Sequence, residues 1–146
     1  MLDLVNPKIS RKLKLLEQLE ELDNWFDSPA KWCQRMLCIN WDDAAQVEQE
    51  HAQSTCLLGG IYKVDGYDNE VSDQKYDSSL NDAVCTKILE IGHTDSITFW
   101  NDHEDRKFED IKKLISELLE ETRDGLLREK INQADFVYRL SYPNQT

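Results

Sequence analysis

A chain of 146 residues, 40% hydrophobic and 32% charged, has the size and composition of one folded domain with a substantial core. Its net charge of −12 disfavours binding to nucleic acids and to anionic membranes, because both depend on Lys and Arg side chains. The sequence has neither an apolar stretch of about 18 residues that would cross a membrane nor the basic and apolar start of a secretion signal. It therefore predicts a cytoplasmic protein.

The first predicted helix begins at Pro7 or Lys8 and ends at Asp27-Ser28-Pro29. Apolar residues recur there every three or four positions, as on one face of a helix: Ile9, Leu13, Leu16, Leu19, Leu22 and Phe26. A second, short helix is predicted over Ala30–Leu37, because Asp27 or Ser28 would cap it and Pro29 suits its first turn.

The next predicted helix runs from about Ala44 to Ile61, after cap residues at Asn40 to Asp43. Its inward positions are Ala44, Val47, His51, Thr55 and Leu58. Gly59 and Gly60 each lower the helix propensity by about 1 kcal/mol relative to Ala. We expect another backbone to approach the helix closely at these two glycines.

The net negative charge lies in the middle of the chain. Residues 41–105 hold three basic and fifteen acidic residues, whereas the segments on either side are balanced. Within it, residues 65–79 are predicted to form an irregular loop whose acidic residues are the candidate contacts for a basic protein surface: Asp65, Asp68, Glu70 and Asp73. Their spacing does not match a calcium-binding loop. The alternative interpretation is that the acidic surface only keeps the protein soluble.

Three further elements are predicted towards the C-terminus. A helix over Leu80–Ile91 is capped near Ser78 or Ser79 and ends at Gly92, and Ile97–Trp100 is too short to classify. The last long helix has its apolar residues at Phe108, Ile111, Leu114, Ile115 and Leu118. Leu126, Leu127 and Ile131 either continue that helix beyond Gly125 or begin a short one of their own, and 136–142 is expected to be a strand or an extended arm.

The predicted fold is therefore all-α, a compact bundle of about five helices with an irregular acidic loop and a C-terminal tail. We expect one domain over residues 1–125 and an extension over 126–146 that packs on it or is flexible. The first helix would serve equally well as part of the core or as the contact of a homodimer.

The cysteines and histidines do not form a recognisable site. Cys33 and Cys38 have four residues between them and no second pair of ligands, and Cys56 and Cys85 lie among apolar residues, as core cysteines do. His51 lies more than one helical turn from Cys56, which argues against a paired base and nucleophile. We therefore expect no metal and no cofactor, and the sequence favours a protein that is not an enzyme.

Three motifs carry a resemblance to a known family: Lys31-Trp32-Cys33-Gln34, Ser54 to Ile61, and Phe99-Trp100-Asn101-Asp102 followed by Arg106 and the last helix. In this order they resemble a family of small bacterial proteins of unknown function, over roughly residues 10–120. Gly60 stands where the family usually has Ala. Lys107 stands in place of a capping Thr, so we expect Asp105 to cap the last helix. The resemblance implies a compact helical domain and no particular activity.

Two interpretations of the Trp-Asn-Asp motif remain. Asn101 and Asp102 would cap the following helix while Trp100 anchors the turn. Alternatively, six residues would line a ligand pocket in which an indole stacks on a ring and polar groups hold its edge: Trp32, Gln34, Trp100, Asn101, Asp102 and Arg106.

Three functions follow from these patterns. The first is a non-enzymatic protein-interaction module that binds another protein through its acidic middle. The second is a small-ligand binder or an enzyme that uses the Trp-Asn-Asp pocket. The third is an accessory inhibitor from a phage or mobile element that imitates the charge of nucleic acid.

Overall fold

Five α-helices and two short strands make up the described part of the chain, which comprises residues 6–39, 52–67 and 78–143 of a computed structural model. The helices are α1 (Pro7–Trp25), α2 (Leu57–Asp65), α3 (Ser79–Gly92), α4 (Ile97–Asn101) and α5 (Phe108–Ser141). The strands β1 (Cys38–Ile39) and β2 (Ser54–Thr55) form one antiparallel pair. The all-α prediction is confirmed, and none of the described helices is both long enough and apolar enough to cross a membrane.

Helix α1 matches its prediction closely. The side chain of Asn6 accepts a hydrogen bond from the backbone N–H of Lys8 at 2.9 Å, and Pro7 occupies the first turn, where a missing N–H costs nothing. The end of its apolar face is fully buried at Leu19, Leu22 and Phe26. These side chains form the core together with the other helices.

The short helix predicted over Ala30–Leu37 is wrong. A single 3-10 turn spans Pro29–Lys31, and Trp32, which follows it in an extended conformation, is bridged to Thr55. The backbone N–H of Cys33 donates to the carbonyl of Thr55 at 3.0 Å. This segment therefore makes its backbone hydrogen bonds with a distant part of the chain instead of with itself.

The helix predicted from Ala44 to Ile61 is confirmed over Leu57–Ile61 and is wrong over residues 52–56. Ser54–Thr55 is a strand, and α2 begins only at Leu57, where the thiol of Cys56 accepts from the N–H of Gly59. Ala44, Val47 and His51 lie outside the described residues. The predicted close approach of another backbone is confirmed at Gly59, where a Cβ would collide with the carbonyl oxygen of Leu37. At Gly60 the close neighbour is a side chain and not a backbone. A Cβ on Gly60 would lie 2.7 Å from the ring of Phe26.

Helix α3 begins as predicted, because the hydroxyl of Ser78 accepts from the N–H of Asn81 at 3.0 Å. Its end differs slightly: Gly92 is still helical and His93 takes the left-handed conformation, with φ 56°. Gly92 is needed for packing, since a Cβ there would lie 2.8 Å from Trp100 Cδ1. The unclassified Ile97–Trp100 run is the helix α4, capped by Ser96.

Helix α5 passes through Gly125 without interruption, so its 34 residues span about 51 Å. The expected strand or extended arm at 136–142 is wrong, because α5 continues to Ser141. The helix also crosses the boundary expected at residues 125 and 126. Helix α1 runs antiparallel to it, with Asp23 beside Lys112 at one end and Lys12 across Gly125 towards the other.

The core lies between α1, the first half of α5 and the three shorter helices. Its fully or nearly fully buried apolar side chains are Leu19, Leu22, Phe26, Leu57, Ile61, Leu80, Val84, Ile88, Ile97, Trp100, Ile111, Leu114, Ile115, Leu118 and Leu119. Past Leu126, which is still buried, α5 has only exposed and half-buried residues.

Candidate functional site

The side chain of Asn101, at the end of α4, is completely buried and joins three segments of the chain. Its oxygen accepts from the indole N–H of Trp32 at 2.7 Å and from the backbone N–H of Leu57 at 3.0 Å. Its amide donates to the carbonyl of Cys33 at 3.1 Å and to the carboxylate of Asp102 at 3.0 Å. An amide side chain has two donors and two acceptor positions, so Asn101 is fully satisfied. We call this group the Asn101 junction.

Gln34 and Asp102 extend the junction to the segment after the 3-10 turn. The amide of Gln34 donates to the carbonyls of Asn101 and His103, both at 2.9 Å. The carboxylate of Asp102 accepts from the backbone N–H of Arg35 at 2.8 Å. Arg35 has φ 70°, a left-handed conformation that costs roughly 1–2 kcal/mol for a residue with a Cβ. A hydrogen bond to a carboxylate contributes a similar amount and holds the turn.

Trp100 and Arg106 form the edge of the same region. The guanidinium carbon of Arg106 lies 3.9 Å from the centre of the Trp100 ring, and its Nε donates to the Trp100 carbonyl at 2.8 Å. Partial burial lowers the pKa of Arg106. Because Trp100 also contacts Gly92, its indole is enclosed by protein on both sides and has only 4% of its surface exposed.

The structure therefore brings together all six residues of the predicted pocket. However, the polar groups of Asn101, the amide of Gln34 and the carboxylate of Asp102 are already hydrogen-bonded within this chain. The capping interpretation is corrected too: Asn101 accepts from the start of α2, which precedes it, and Asp102 accepts from Arg35. A ligand-binding role for the six residues stays a prediction.

The start of α5 also differs from its prediction. Its first turn follows Lys107, whose backbone N–H donates to the carboxylate of Asp110 at 2.9 Å, so Asp105 is not the cap. An acidic residue three positions into a helix is a known way to satisfy this N–H. The residue in the sequence that indicates the start of α5 is therefore Asp110, and no Thr at position 107 is needed.

Of the four acidic residues predicted to contact a partner, the structure describes only Asp65. It ends α2, where its carboxylate accepts hydrogen bonds from the amide of Gln18, at 3.1 Å, and from the hydroxyl of Ser78. Asp65 thus ties α1, α2 and the start of α3 together. Asp68, Glu70 and Asp73 lie outside the described residues.

The four cysteines are free thiols. Burial raises the pKa of Cys33 to about 11 and that of Cys56 to about 12. Both thiols are therefore protonated at neutral pH, and a protonated thiol is a poor nucleophile. Within residues 6–39, 52–67 and 78–143, no three His, Cys, Asp or Glu side chains are grouped to hold a metal ion.

The second half of α5 carries a surface that was not predicted from the sequence. On the first half, the side that faces away from the core carries exposed hydrophilic residues, namely Lys113, Ser116, Glu120 and Arg123. From Leu127 onwards the same side carries a row that we call the apolar stripe: Leu127, Ile131, Ala134, Tyr138 and Tyr142. Its spacing of three and four residues was visible in the sequence. What the sequence did not show is which side of the helix the core would cover.

The side chains of the apolar stripe are well exposed. Leu127 and Ile131 each expose 59% of their surface, and the rings of Tyr138 and Tyr142 contact each other at a tilt of 39°, with their centres 4.9 Å apart. Scattered exposed apolar residues are normal, whereas large contiguous exposed apolar patches are typical of interaction sites. Phe136 and Leu140 are also exposed, on another side of the same helical end.

Comparison with known proteins identifies a family and no function. Residues 14–121 match the model of the family of unknown function DUF6197, about three-quarters of the chain, and the protein belongs to that family. The match covers nearly the same residues as the resemblance seen in the sequence and ends before the apolar stripe. No curated protein and no solved structure matches the chain.

Proposed function

We propose that this member of the DUF6197 family is a cytoplasmic, non-enzymatic protein-interaction module that binds a helix of its partner on the apolar stripe of α5. The change of the outer face of α5 from charged to apolar at Leu127 carries this proposal. A helix that only served the fold would keep its charged outer face to the end. Free thiols at all four cysteines fit a reducing compartment.

The geometry of the apolar stripe suits a helical partner. From Leu127 to Tyr142 it extends over about 24 Å, or four turns, and its anchors have the spacing with which amphipathic helices bind one another. Arg128, Lys130 and Arg139 outnumber Glu129 and Asp135 around it. We therefore expect the partner helix to have apolar anchors flanked by carboxylates.

The acidic middle of the chain is proposed as a second contact, for a basic part of the partner. The charge of residues 41–105 supports it. Because Asp65 is bonded within the fold, Asp68, Glu70 and Asp73 are the residues to change to Asn, Gln and Asn. Weaker capture of the partner, with a flatter salt dependence, is expected, whereas unchanged capture would remove this contact from the proposal.

Neither alternative function has comparable support. The Trp-Asn-Asp residues form the Asn101 junction, where the polar groups that a ligand would need already bind this chain. The raised thiol pKa values disfavour cysteine catalysis. Acidity alone does not distinguish an imitator of nucleic acid from any other acidic protein.

The docking surface is tested by photo-crosslinking in cells. A photo-reactive residue at position 134 should crosslink to one defined partner, and the same residue at position 120, on the hydrophilic half of that face, should not. L127S/I131S should abolish the crosslink, and the matched pair F136S/L140S should keep it. Equal crosslinking at positions 134 and 120, or its survival in L127S/I131S, would refute the proposal.

Native mass spectrometry of the purified protein then separates the two kinds of partner. A dimer that L127S/I131S dissociates would identify the partner helix as a second copy of this chain. A complex of unequal chains, lost in the same variant, would identify a different protein.

A further inference from the structure

A cavity of about 480 Å³ lies between the start of α1, the start of α3 and the middle of α5. We call it the basic cleft. The described residues that line it are Lys8, Arg11, Lys12, Leu15, Ser79 and Glu129. The four residues from α1 are spaced three and four apart, so they share one face of that helix. The volume lies within the usual range of small-molecule sites, roughly 300–1,000 Å³.

The three cations of the basic cleft have no described counter-charge. No described carboxylate lies within 4.0 Å of Lys8, Arg11 or Lys12, although acidic residues outnumber basic ones by twelve in the chain. Glu129 lines the cavity without forming an ion pair with them. Three cations around one cavity repel one another, and this arrangement would be relieved by an anion.

The positive ends of two helices add further positive charge next to these cations. The first turn of α1 has no acidic residue and contains Lys8, although the positive end of the helix dipole favours acids there. Ser79 is the first residue of α3, so the positive end of a second helix borders the same cavity. The side chain of Lys12 reaches α5, because its ammonium lies 3.4 Å from where a Cβ on Gly125 would be.

We propose that the basic cleft binds a small organic phosphate. The phosphate groups would bind Arg11, Lys8 and Lys12, since guanidinium and ammonium groups both donate strongly to phosphate oxygens. Leu15 would contact the apolar part of the molecule, and the carboxylate of Glu129 would accept from one of its hydroxyl or amino groups. The site is independent of the apolar stripe, because none of its lining residues belongs to that stripe.

Isothermal titration calorimetry tests this proposal with three probes: inorganic phosphate, pyrophosphate and ATP. We expect ATP and pyrophosphate to bind with micromolar dissociation constants and phosphate to bind at least tenfold more weakly. R11Q/K12Q should weaken ATP binding at least tenfold. The matched variant K14Q removes a cation from the same helix outside the cleft and should change it less than twofold. Circular dichroism of each variant verifies that its fold is unchanged.

A second test distinguishes binding in the basic cleft from a general effect of the protein's net charge. E129Q removes the only described carboxylate of the cleft, so pyrophosphate should bind several-fold more tightly. The same change at an exposed carboxylate outside the cleft, E120Q, should have no such effect. Absence of saturable binding by ATP and pyrophosphate up to millimolar concentration, equal losses in R11Q/K12Q and K14Q, or equal effects of E129Q and E120Q would each overturn the proposal.

Discussion

The two halves of α5 belong to one continuous helix and have very different surroundings. Over residues 108–126, one side is buried against α1 and the shorter helices while the other is charged and exposed. Over 127–141, no residue is fully buried, and apolar side chains occupy the outward side. The comparison shows that an apolar row in a helix does not reveal by itself whether it faces the core of its own chain or a partner.

The comparison is tested most strongly by the same substitution in both halves. Ile115 is completely buried and Ile131 is 59% exposed. I115A should lower the free energy of unfolding by about 4 kcal/mol, because it leaves a cavity in the core. I131A should change it by less than about 0.5 kcal/mol. Urea denaturation measures both, and similar losses would mean that the second half of α5 is packed within the monomer.

A second matched pair replaces Asn by Leu. N101L leaves the indole N–H of Trp32 and the backbone N–H of Leu57 without their acceptor, so we expect a loss of about 3 kcal/mol. N132L, at an exposed position in the second half of α5, should cost less than about 0.5 kcal/mol. A small effect of N101L would show that the Asn101 junction does not stabilise the fold.

Two glycines should respond to Ala in opposite directions. G60A places a Cβ 2.7 Å from the ring of Phe26 and should cost about 2 kcal/mol through overpacking. Gly125 lies between the two halves of α5, where a Cβ would meet only the flexible end of Lys12 at 3.4 Å. G125A should therefore stabilise the protein by up to about 1 kcal/mol through helix propensity. Thermal denaturation of both variants measures these two changes in stability. Destabilisation by G125A would indicate a break in α5.

Alkaline pH should also lower the stability of the folded protein. The pKa values of Cys33 and Cys56 rise from 9.0 in a free thiol to about 11 and about 12 in the folded protein. The contribution of these thiols to the free energy of unfolding is complete below pH 9. It is lost as the pH rises through their pKa values in the folded protein, because the unfolded chain releases the protons first. The hydrogen bond to Glu121 also raises the pKa of Lys87, and this too makes stability fall as the pH rises.

Melting temperatures measured from pH 7 to pH 11 should accordingly be constant up to about pH 9 and then fall. C33A removes one of the titrating thiols and should reduce the fall. Stability that rises above pH 9, or an unchanged profile in C33A, would contradict the assignment of this effect to the buried thiols.

Much of the candidate site was visible in the sequence as residue types. Trp32, Gln34, Asn101, Asp102 and Arg106 were predicted to lie together, and they do. Most of their bonding could not be predicted, because the bonds of Trp32, Gln34 and Asp102 join positions more than sixty residues apart or depend on an unusual turn at Arg35. The bond from Arg106 to the Trp100 carbonyl, by contrast, is local. The basic cleft was missed for a similar reason: its cations are close in α1, but Ser79 and Glu129 complete it from two other helices.

The sequence by itself determined α1, α3 and the first half of α5. Their apolar periodicity is strong and their starts carry local signals, such as Asn6 and Ser78, that act over two or three residues. Only the tertiary structure decided the rest. Trp32 and residues 38–39 are extended because they pair with residues 54–55, and the chain turns between them at Arg35. The second half of α5 is exposed because the described part of α1 begins level with Glu129. Local patterns fix helices, whereas burial depends on what lies opposite them.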